Sequence, residues 1–550
     1  MATTISARPA FPQEIWWLVA QELARDFDFG TLYTCARVSQ GLASVAMPLL
    51  YSIHDQSPVI DAHVVGLETS VCLWRSIIAS SLGHTRYPYC CWIKSLKLGN
   101  LHSILDDLSR NNSALKAQFF QGPMQGFMIM LRGQQLNLDS IVLEVANSIT
   151  SYIRTAADQA GKPVALTTLE GHYFPTASLV NWISALSCLI SLVIRDGSVL
   201  TADVARALQA NCPSFKHIQC YFCKGTGVDE QLAGFLQNLK PQSLESFTIR
   251  SQNNIGKETF SALGRHSTSL QELRLFSLEP AALASIYKLQ DCLAIKKLAI
   301  EGNHMAQTFE WLKESLSDFE KVVDWLAKCA SLSELSLIRV PDATELLSML
   351  SHAPSFKLTS LTLKLNELDE LNEPGLYAFI GEQQALRHLT VRLISDEPLD
   401  IDGFLATPLM NLSKLEKLDT NVPFSTWELG CCVPYLKNLE EMVLNGDMIH
   451  DEYLVHLLHL PKLKSLTILG PSCITGEGLL RFMDMLRGHN DAREAHDGLR
   501  ISILSQNWDD RLGEATERKV SDYIRRHYGG TFDITCLRDP DEMHESDFSD

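Results

Sequence analysis

The sequence predicts an α/β solenoid: a horseshoe with a parallel sheet along its concave side and mainly helices on its convex side, preceded by a small all-α element. Three observations predict it. A six-residue phrase of leucine, two polar residues, leucine, one residue, leucine returns along most of the chain, as at Leu270-Gln-Glu-Leu273-Arg-Leu275, Leu358-Thr-Ser-Leu361-Thr-Leu363 and Leu463-Lys-Ser-Leu466-Thr-Ile468. The distance between copies is nearly fixed. The first fifty residues take no part in the pattern.

The middle apolar residue of each phrase serves as a marker. Markers fall at Leu96, Ile141, Leu169, Leu192, Ile218, Phe247, Leu273, Leu298, Leu335, Leu361, Leu389, Leu418, Met442 and Leu466, with a degenerate copy near Leu499. Most intervals are 23 to 29 residues. A period of that size with this phrase is the leucine-rich repeat. The last three positions alternate apolar, other, apolar, which describes a strand with one buried face. One such strand cannot bury its face alone, so copies stack into a parallel sheet and each return segment covers the back. The solenoid is expected over residues 91–505.

Composition narrows the function. The apolar fraction and a mean hydropathy near zero are those of an ordinary globular chain. A net charge of −18 argues against a nucleic-acid partner, because phosphate contacts need a basic surface. No basic start leads into a signal peptide, and no apolar run reaches the roughly 18 residues of a membrane helix. The fourteen cysteines then read as reduced thiols of a cytoplasmic or nuclear protein.

Residues 1–10 read as a disordered start. Pro12 and Glu14 suit a first helical turn, and Ile15, Leu18, Val19 and Leu23 recur on one helix face. Thr31 is a candidate cap for a second helix carrying Leu32, Cys35 and Val38. A third segment carries Leu42, Val45 and Ala46 and ends at Pro48-Leu49-Leu50-Tyr51. So small a helix set is near the lower limit for an independent core, and its many apolar residues predict a surface completed by something else.

Residues 11–53 resemble an F-box of the form common in fungal F-box proteins. The matching residues are Phe11-Pro12, Glu14-Ile15, Leu18, Leu23, Leu32, Cys35, Val38-Ser39, Leu42, Ala46 and Pro48 to Tyr51. Phe11 stands where leucine is usual, and Gly41-Leu42 stand near where many F-boxes carry tryptophan. The resemblance implies a non-catalytic substrate receptor that binds a Skp-type adaptor and, through it, the cullin and RING subunits of an SCF-type ubiquitin ligase. The adaptor-binding residues it implies are Phe11, Pro12, Ile15, Leu18, Leu23, Leu32, Cys35, Val38, Leu42, Leu49, Leu50 and Tyr51. The plainer reading is a helical cap sealing the first repeat. The alternative function is a leucine-rich-repeat interaction scaffold acting without a ligase.

Residues 54–90 form a junction, with an amphipathic helix over Val71–Ile78. The period is interrupted twice. Between Leu98 and Leu138, Leu101–Leu108 and Leu115–Phe120 read as helices and Phe127–Leu131 as a short buried strand. Between Leu298 and Leu335, the spacing of Phe309, Leu312, Leu316, Phe319, Val323 and Leu326 predicts one long helix whose stripe faces the sheet. Trp311 and Trp325 lie off that stripe and are expected to pack on neighbouring repeats.

Cys212, Cys292 and Cys329 each fall six residues before a marker, a place for a small buried thiol. Cys220-Tyr-Phe-Cys223 has the spacing of half a zinc site, but no second pair follows and strand alternation would send the two thiols to opposite sides. Neither a metal nor a cofactor is expected. No nucleophile elbow, phosphate loop or metalloprotease helix is present in the sequence, so no catalytic residue is assigned.

Function is expected on the concave face. Arg195, Tyr221, Arg250, Phe276, Lys364 and Arg392 lie just beyond a phrase, and Arg274 lies inside one. They would form a basic and aromatic strip interrupted by Glu144, Glu301 and Asp419. Guanidinium pairs bidentately with carboxylate or phosphate, so the strip predicts an acidic or phosphorylated protein substrate. Residues 506–538 are expected to cap the array, with a polar helix over Arg511–His527 and an edge strand over Phe532–Leu537. Residues 539–550 read as an acidic disordered tail.

Overall fold

The computed structural model describes residues 12–60, 66–111, 113–131, 135–351, 353, 357–366, 374–394, 405–445, 449–470, 472–489, 496–505 and 512–536. The expected disordered start and acidic tail lie outside them, as does Phe11. The chain forms two compact units, Met1–Leu270 and Gln271–Asp550.

The first unit opens with three helices, α1 (Gln13–Arg25), α2 (Phe29–Val38) and α3 (Gln40–Ser52). Asp28, not Thr31, caps α2, because its carboxylate accepts from the Thr31 N–H (2.9 Å). Ser39 caps α3 through the Leu42 N–H (3.2 Å). Junction helix α4 spans Leu67–Ser81 and buries Val71, Trp74, Ile77 and Ile78. Five parallel strands follow: β1 (Ser95–Lys97), β2 (Thr168–Gly171), β3 (Ser191–Asp196), β4 (His217–Phe222) and β5 (Ser246–Ile249). Leu96, Leu169, Leu192, Ile218 and Phe247 lie in register across them, all buried.

The second unit continues the pattern with β6 (Glu272–Leu278), β7 (Lys297–Gly302), β8 (Glu334–Ile338), β9 (Ser360–Leu365), β10 (His388–Leu393), β11 (Lys417–Pro423), β12 (Glu441–Asn445), β13 (Ser465–Leu469), β14 (Arg500–Ser505) and β15 (Thr531–Cys536). Neighbouring strands are again parallel, with Leu273, Leu298, Leu335, Leu361, Leu389, Leu418, Met442, Leu466, Ile501 and Phe532 in register. Both units are α/β leucine-rich-repeat solenoid.

Several expectations are corrected. Ile141 is not a strand marker. It sits in a helix, Leu138–Ala160, where Ile141, Val145, Ile149 and Ile153 recur at helical spacing and the Asn137 side chain caps the Ser140 N–H (3.2 Å). The last full phrase is marked by Ile501, not Leu499, since Ile501 pairs with Leu466. The long helix over 309–326 is broken at Ser315 into Trp311–Glu314 and Leu316–Lys328, leaving Leu316 exposed. Trp311 and Trp325 are buried, and the Trp325 indole donates to the Cys292 carbonyl (3.2 Å). Phe127–Leu131 is no buried strand. Met128, Met130 and Leu131 are exposed around a single antiparallel bridge from Met130 to Leu136.

Cysteines fill the turns before the strands. Cys212, Cys292 and Cys329 are buried, and burial pushes each thiol up to about 12. Cys212 donates to the Leu186 carbonyl (3.3 Å). The turn after β4 returns Cys223 to the side of Cys220, against expectation. The two thiols touch, and their mutual hydrogen bond, then burial, raises Cys220 well above the ordinary thiol range. Gly197 lies against them. A Cβ there would meet the Cys223 sulfur at 2.1 Å, so any other residue must push that thiol aside.

Histidine performs a comparable structural task at His266, which is fully buried. The Leu244 N–H donates to Nδ1 (3.3 Å), so Nε2 carries the proton and donates to the Leu236 carbonyl (3.3 Å). Burial holds its pKa below the ordinary imidazole value, with the Leu236 carbonyl opposing. A folded pKa below the unfolded one gives stability that is complete above the unfolded pKa of about 6.5 and is lost as pH falls through the folded value. The urea midpoint of the native chain should therefore drop between pH 7.5 and pH 5. His266→Gln should be less stable at pH 7.5 and show a shallower drop, as read by circular dichroism.

Candidate functional site

Two surfaces stand out. The first is the N-terminal helix set. Its core is Ala20, Ala24, Leu32, Val45 and Ala46, with Leu23, Cys35, Leu49 and Leu50 packed against them. Small alanines let α1 lie close to its neighbours, and the cost is that its larger apolar residues point away. Ile15, Trp17, Leu18 (57% exposed) and Val19 of α1 are in solvent, as are Tyr33 and Val38 (69% exposed) of α2. The α1 face read from the sequence as amphipathic is thus largely the uncovered one.

Of the twelve residues assigned to adaptor binding, the eleven that are described divide accordingly. Pro12, Ile15, Leu18 and Val38 are exposed, whereas Leu23, Cys35, Leu42, Leu49 and Leu50 are half-buried. Leu32 and Tyr51 lie deeper. Leu32 is wholly inside the helix set, and Tyr51 is buried, stacking on Tyr89 (4.5 Å) and bonding through its hydroxyl to Ser76 (2.7 Å). Burial pushes the Tyr51 phenol up to about 12. Val19, which shares the sequence-assigned face of α1, and Trp17 and Tyr33, which the sequence reading did not single out, are exposed as well.

The second surface is the open face of the sheet. In the first unit, Lys97, Glu170, Val193, Gln219 and Thr248 share one row in register. Beyond that row lie His172, Arg195, Tyr221 and Arg250. The Arg250 guanidinium sits over the Tyr221 ring (5.9 Å) and donates to the Gln219 amide oxygen (3.2 Å). Lys97 pairs with Asp55 (4.0 Å). Burial lifts the Glu170 carboxyl, against the pull of Lys97 and Arg250. Burial also depresses the His172 imidazole, helped by His102 and Arg195.

In the second unit the expected basic strip is largely neutralised. Arg274 pairs with Glu272 (2.5 Å), Arg392 with Asp419 (2.5 Å), and Arg339 with Glu301. Lys364 is half-buried, as is Phe276. The row facing out beside the markers is instead small and hydroxylic, running through Ser336, Thr362 and Thr390 to Asp419, and on through Val443 to Thr467 and Ser502. Among the described residues no group of three or more His, Cys, Asp or Glu is placed to hold a metal ion. No helix among them is long and apolar enough to cross a membrane.

No protein-family model matches the chain, and no curated protein matches it. Similar solved structures are leucine-rich-repeat proteins. The yeast Rad7–Elc1 complex shares 16% identity over 69% of this chain and 92% of that one, with a TM-score of 0.34. The TLR13–ssRNA13 complex shares 13% over 68% of this chain, with a TM-score of 0.37, and this chain spans 53% of that one. The Drosophila Toll–Spatzle complex shares 13% over 73% of this chain and 64% of that one, with a TM-score of 0.23. None carries a functional argument for this chain.

The division of the helix set into core and surface is testable by circular dichroism. Leu32→Ala should destabilise the set by about 2–5 kcal/mol, the range for a buried leucine truncated to alanine. Leu18→Asp and Val38→Asp should each change stability by less than about 0.5 kcal/mol, since both side chains are already in water.

Proposed function

We propose that the chain is the substrate-receptor subunit of an SCF-type cullin–RING ubiquitin ligase. In this reading the N-terminal helices are an F-box that docks a Skp-type adaptor, and the open face of the repeat sheet holds a protein substrate. The observation that carries the reading is the group of large apolar side chains that α1 and α2, two packed helices, leave in solvent: Ile15, Trp17, Leu18, Val19, Tyr33 and Val38. A helix set that only capped the first repeat would turn such residues inward. Large apolar side chains left in solvent on a small helix set are what a protein-binding surface supplies.

The chain would make and break no bonds. Its contribution would be proximity, bringing a captured substrate to a ubiquitin-loaded enzyme held elsewhere in the assembly. The free, mostly buried thiols suit the reducing cytoplasm or nucleus where such assemblies work.

A pull-down with purified Skp-type adaptor tests the reading. The intact chain should bind. The doubly substituted Leu18→Asp, Val38→Asp chain should fold normally and bind at least about tenfold more weakly, as when a buried anchor is lost from an interface. A well-folded intact chain that does not bind the adaptor would leave a repeat scaffold acting without a ligase.

A further inference from the structure

Three strands of the first unit bring two guanidiniums and an aromatic ring into one row. Ile194 pairs with Cys220 and Asp196 with Phe222, so Arg195 stands beside Tyr221. Cys220 pairs with Ile249, and the Arg250 N–H donates to the Cys220 carbonyl (2.9 Å), so Arg250 flanks Tyr221 on its other side. All three residues are exposed. Arg195 and Arg250 start two strand spacings apart, about 10 Å.

Neither guanidinium holds a carboxylate. Arg250 lies over the Tyr221 ring (5.9 Å) and donates to the Gln219 amide oxygen (3.2 Å), and among the described residues neither arginine is ion-paired. The nearby acids are engaged elsewhere. The Asp196 carboxylate accepts from the Ser198 N–H (2.9 Å), and Asp55 pairs with Lys97 (4.0 Å). Glu170 is half-buried, and burial lifts its carboxyl against Lys97 and Arg250. In a chain of net charge −18, exposed cations without acidic partners are the exception, and their electrostatic complement is negative. The two charges are also separate. Arg250 is held at Gln219 and acts on Glu170, whereas Arg195 acts on His172. Two spaced carboxylates suit that arrangement better than one phosphate. A polyproline II peptide advances about 3.1 Å per residue with three residues per turn, so every third side chain faces the same way at intervals of about 9.3 Å, close to the spacing of the row.

We propose that the row Arg195–Tyr221–Arg250 binds an extended acidic segment of the protein substrate, which crosses the strands in polyproline II conformation, places carboxylates three residues apart on the two guanidiniums and lays its backbone over the Tyr221 ring. The proposal rests on the reading of the open face as the substrate surface. It needs no adaptor, so its failure and a failure of adaptor docking are separate results.

The test titrates the full chain, by fluorescence anisotropy, with a fluorescein-labelled peptide of Glu-Pro-Pro repeats. Three peptides of the same length serve as comparisons: Gln-Pro-Pro repeats, a peptide of the first composition with its glutamates in one block, and Gln-Pro-Pro repeats carrying a single phosphoserine. Saturable one-site binding of the Glu-Pro-Pro peptide is expected. The glutamine peptide should bind at least about tenfold more weakly, the factor for one charge-assisted hydrogen bond, and the block and phosphoserine peptides should also be weaker. Arg195→Gln and Arg250→Gln should each cost about tenfold. Arg392→Gln should leave affinity unchanged, because that guanidinium already holds Asp419. No binding by the native chain, equal binding of the spaced and block peptides, tighter binding of the phosphoserine peptide, or equal losses at Arg250 and Arg392 overturns the proposal. The first three of these outcomes are read on the native chain and need no variant to fold.

Discussion

The structure depends on one constraint: no strand of the array can satisfy itself. Each contributes two inward apolar side chains, such as Leu192 and Ile194, and a backbone whose hydrogen bonds run to the strand on either side. Both demands are met only by a neighbour in register. The constraint explains why the marker position tolerates Leu, Ile, Phe and Met, which share bulk and apolarity, and not a polar residue. It also explains the array's far end, where β15 and helix Glu514–Tyr528 follow the last full phrase. That helix buries Val520, Ile524 and Tyr528, and the Tyr528 hydroxyl donates to the Met483 carbonyl (2.6 Å).

The helical side obeys the same rule by other means. Helix ends need partners for their free N–H groups, and here a carboxylate from the preceding repeat often supplies them. Asp229 accepts from the N–H groups of Gly256 (2.7 Å), Glu258 (3.0 Å) and Thr259 (3.0 Å). Asp451 accepts from the Thr475 N–H (2.8 Å) and hydroxyl (2.7 Å), and lies so close that a Cβ on Gly478 would meet it at 2.1 Å. Such clamps tie return segments to one another as the register ties the strands. Part of the chain's acidity is therefore structural and does not describe what the surface offers a partner.

The sheet was legible in the sequence because its signal is repeated and local. A period-two strand inside a fixed interval is hard to mistake, and where the interval stretched the reading failed. Ile141 satisfies the strand phrase by composition, yet Val145, Ile149 and Ile153 continue a helical period that the Asn137 cap starts. The helix set shows a different limit. Periodicity finds an apolar face but cannot say whether protein covers it. In α1 the covering residues are Ala20 and Ala24, which hardly register as a stripe, while Ile15, Leu18 and Val19 register and face water.

The arginines show why residue type alone did not define the open face. An incoming carboxylate at Arg392 must displace Asp419, and at Arg274 it must displace Glu272. One carboxylate replaces another, and half-exposed pairs of this kind are worth at most about 1 kcal/mol, so the exchange gains little. Arg250 differs. Its hydrogen-bond and ring partners are a neutral amide and an aromatic ring, with the Glu170 carboxyl close enough to feel its charge, so a carboxylate or phosphate arriving there adds a charge-assisted bond without displacing a hydrogen-bonded carboxylate. The two units thus offer unlike chemistry from similar sequence. The first presents cation and aromatic together, and the second presents self-neutralised pairs beside a row of small hydroxyls. An acidic ligand that distinguishes them would do so through what each guanidinium already holds, and the number of arginines on the face would not matter.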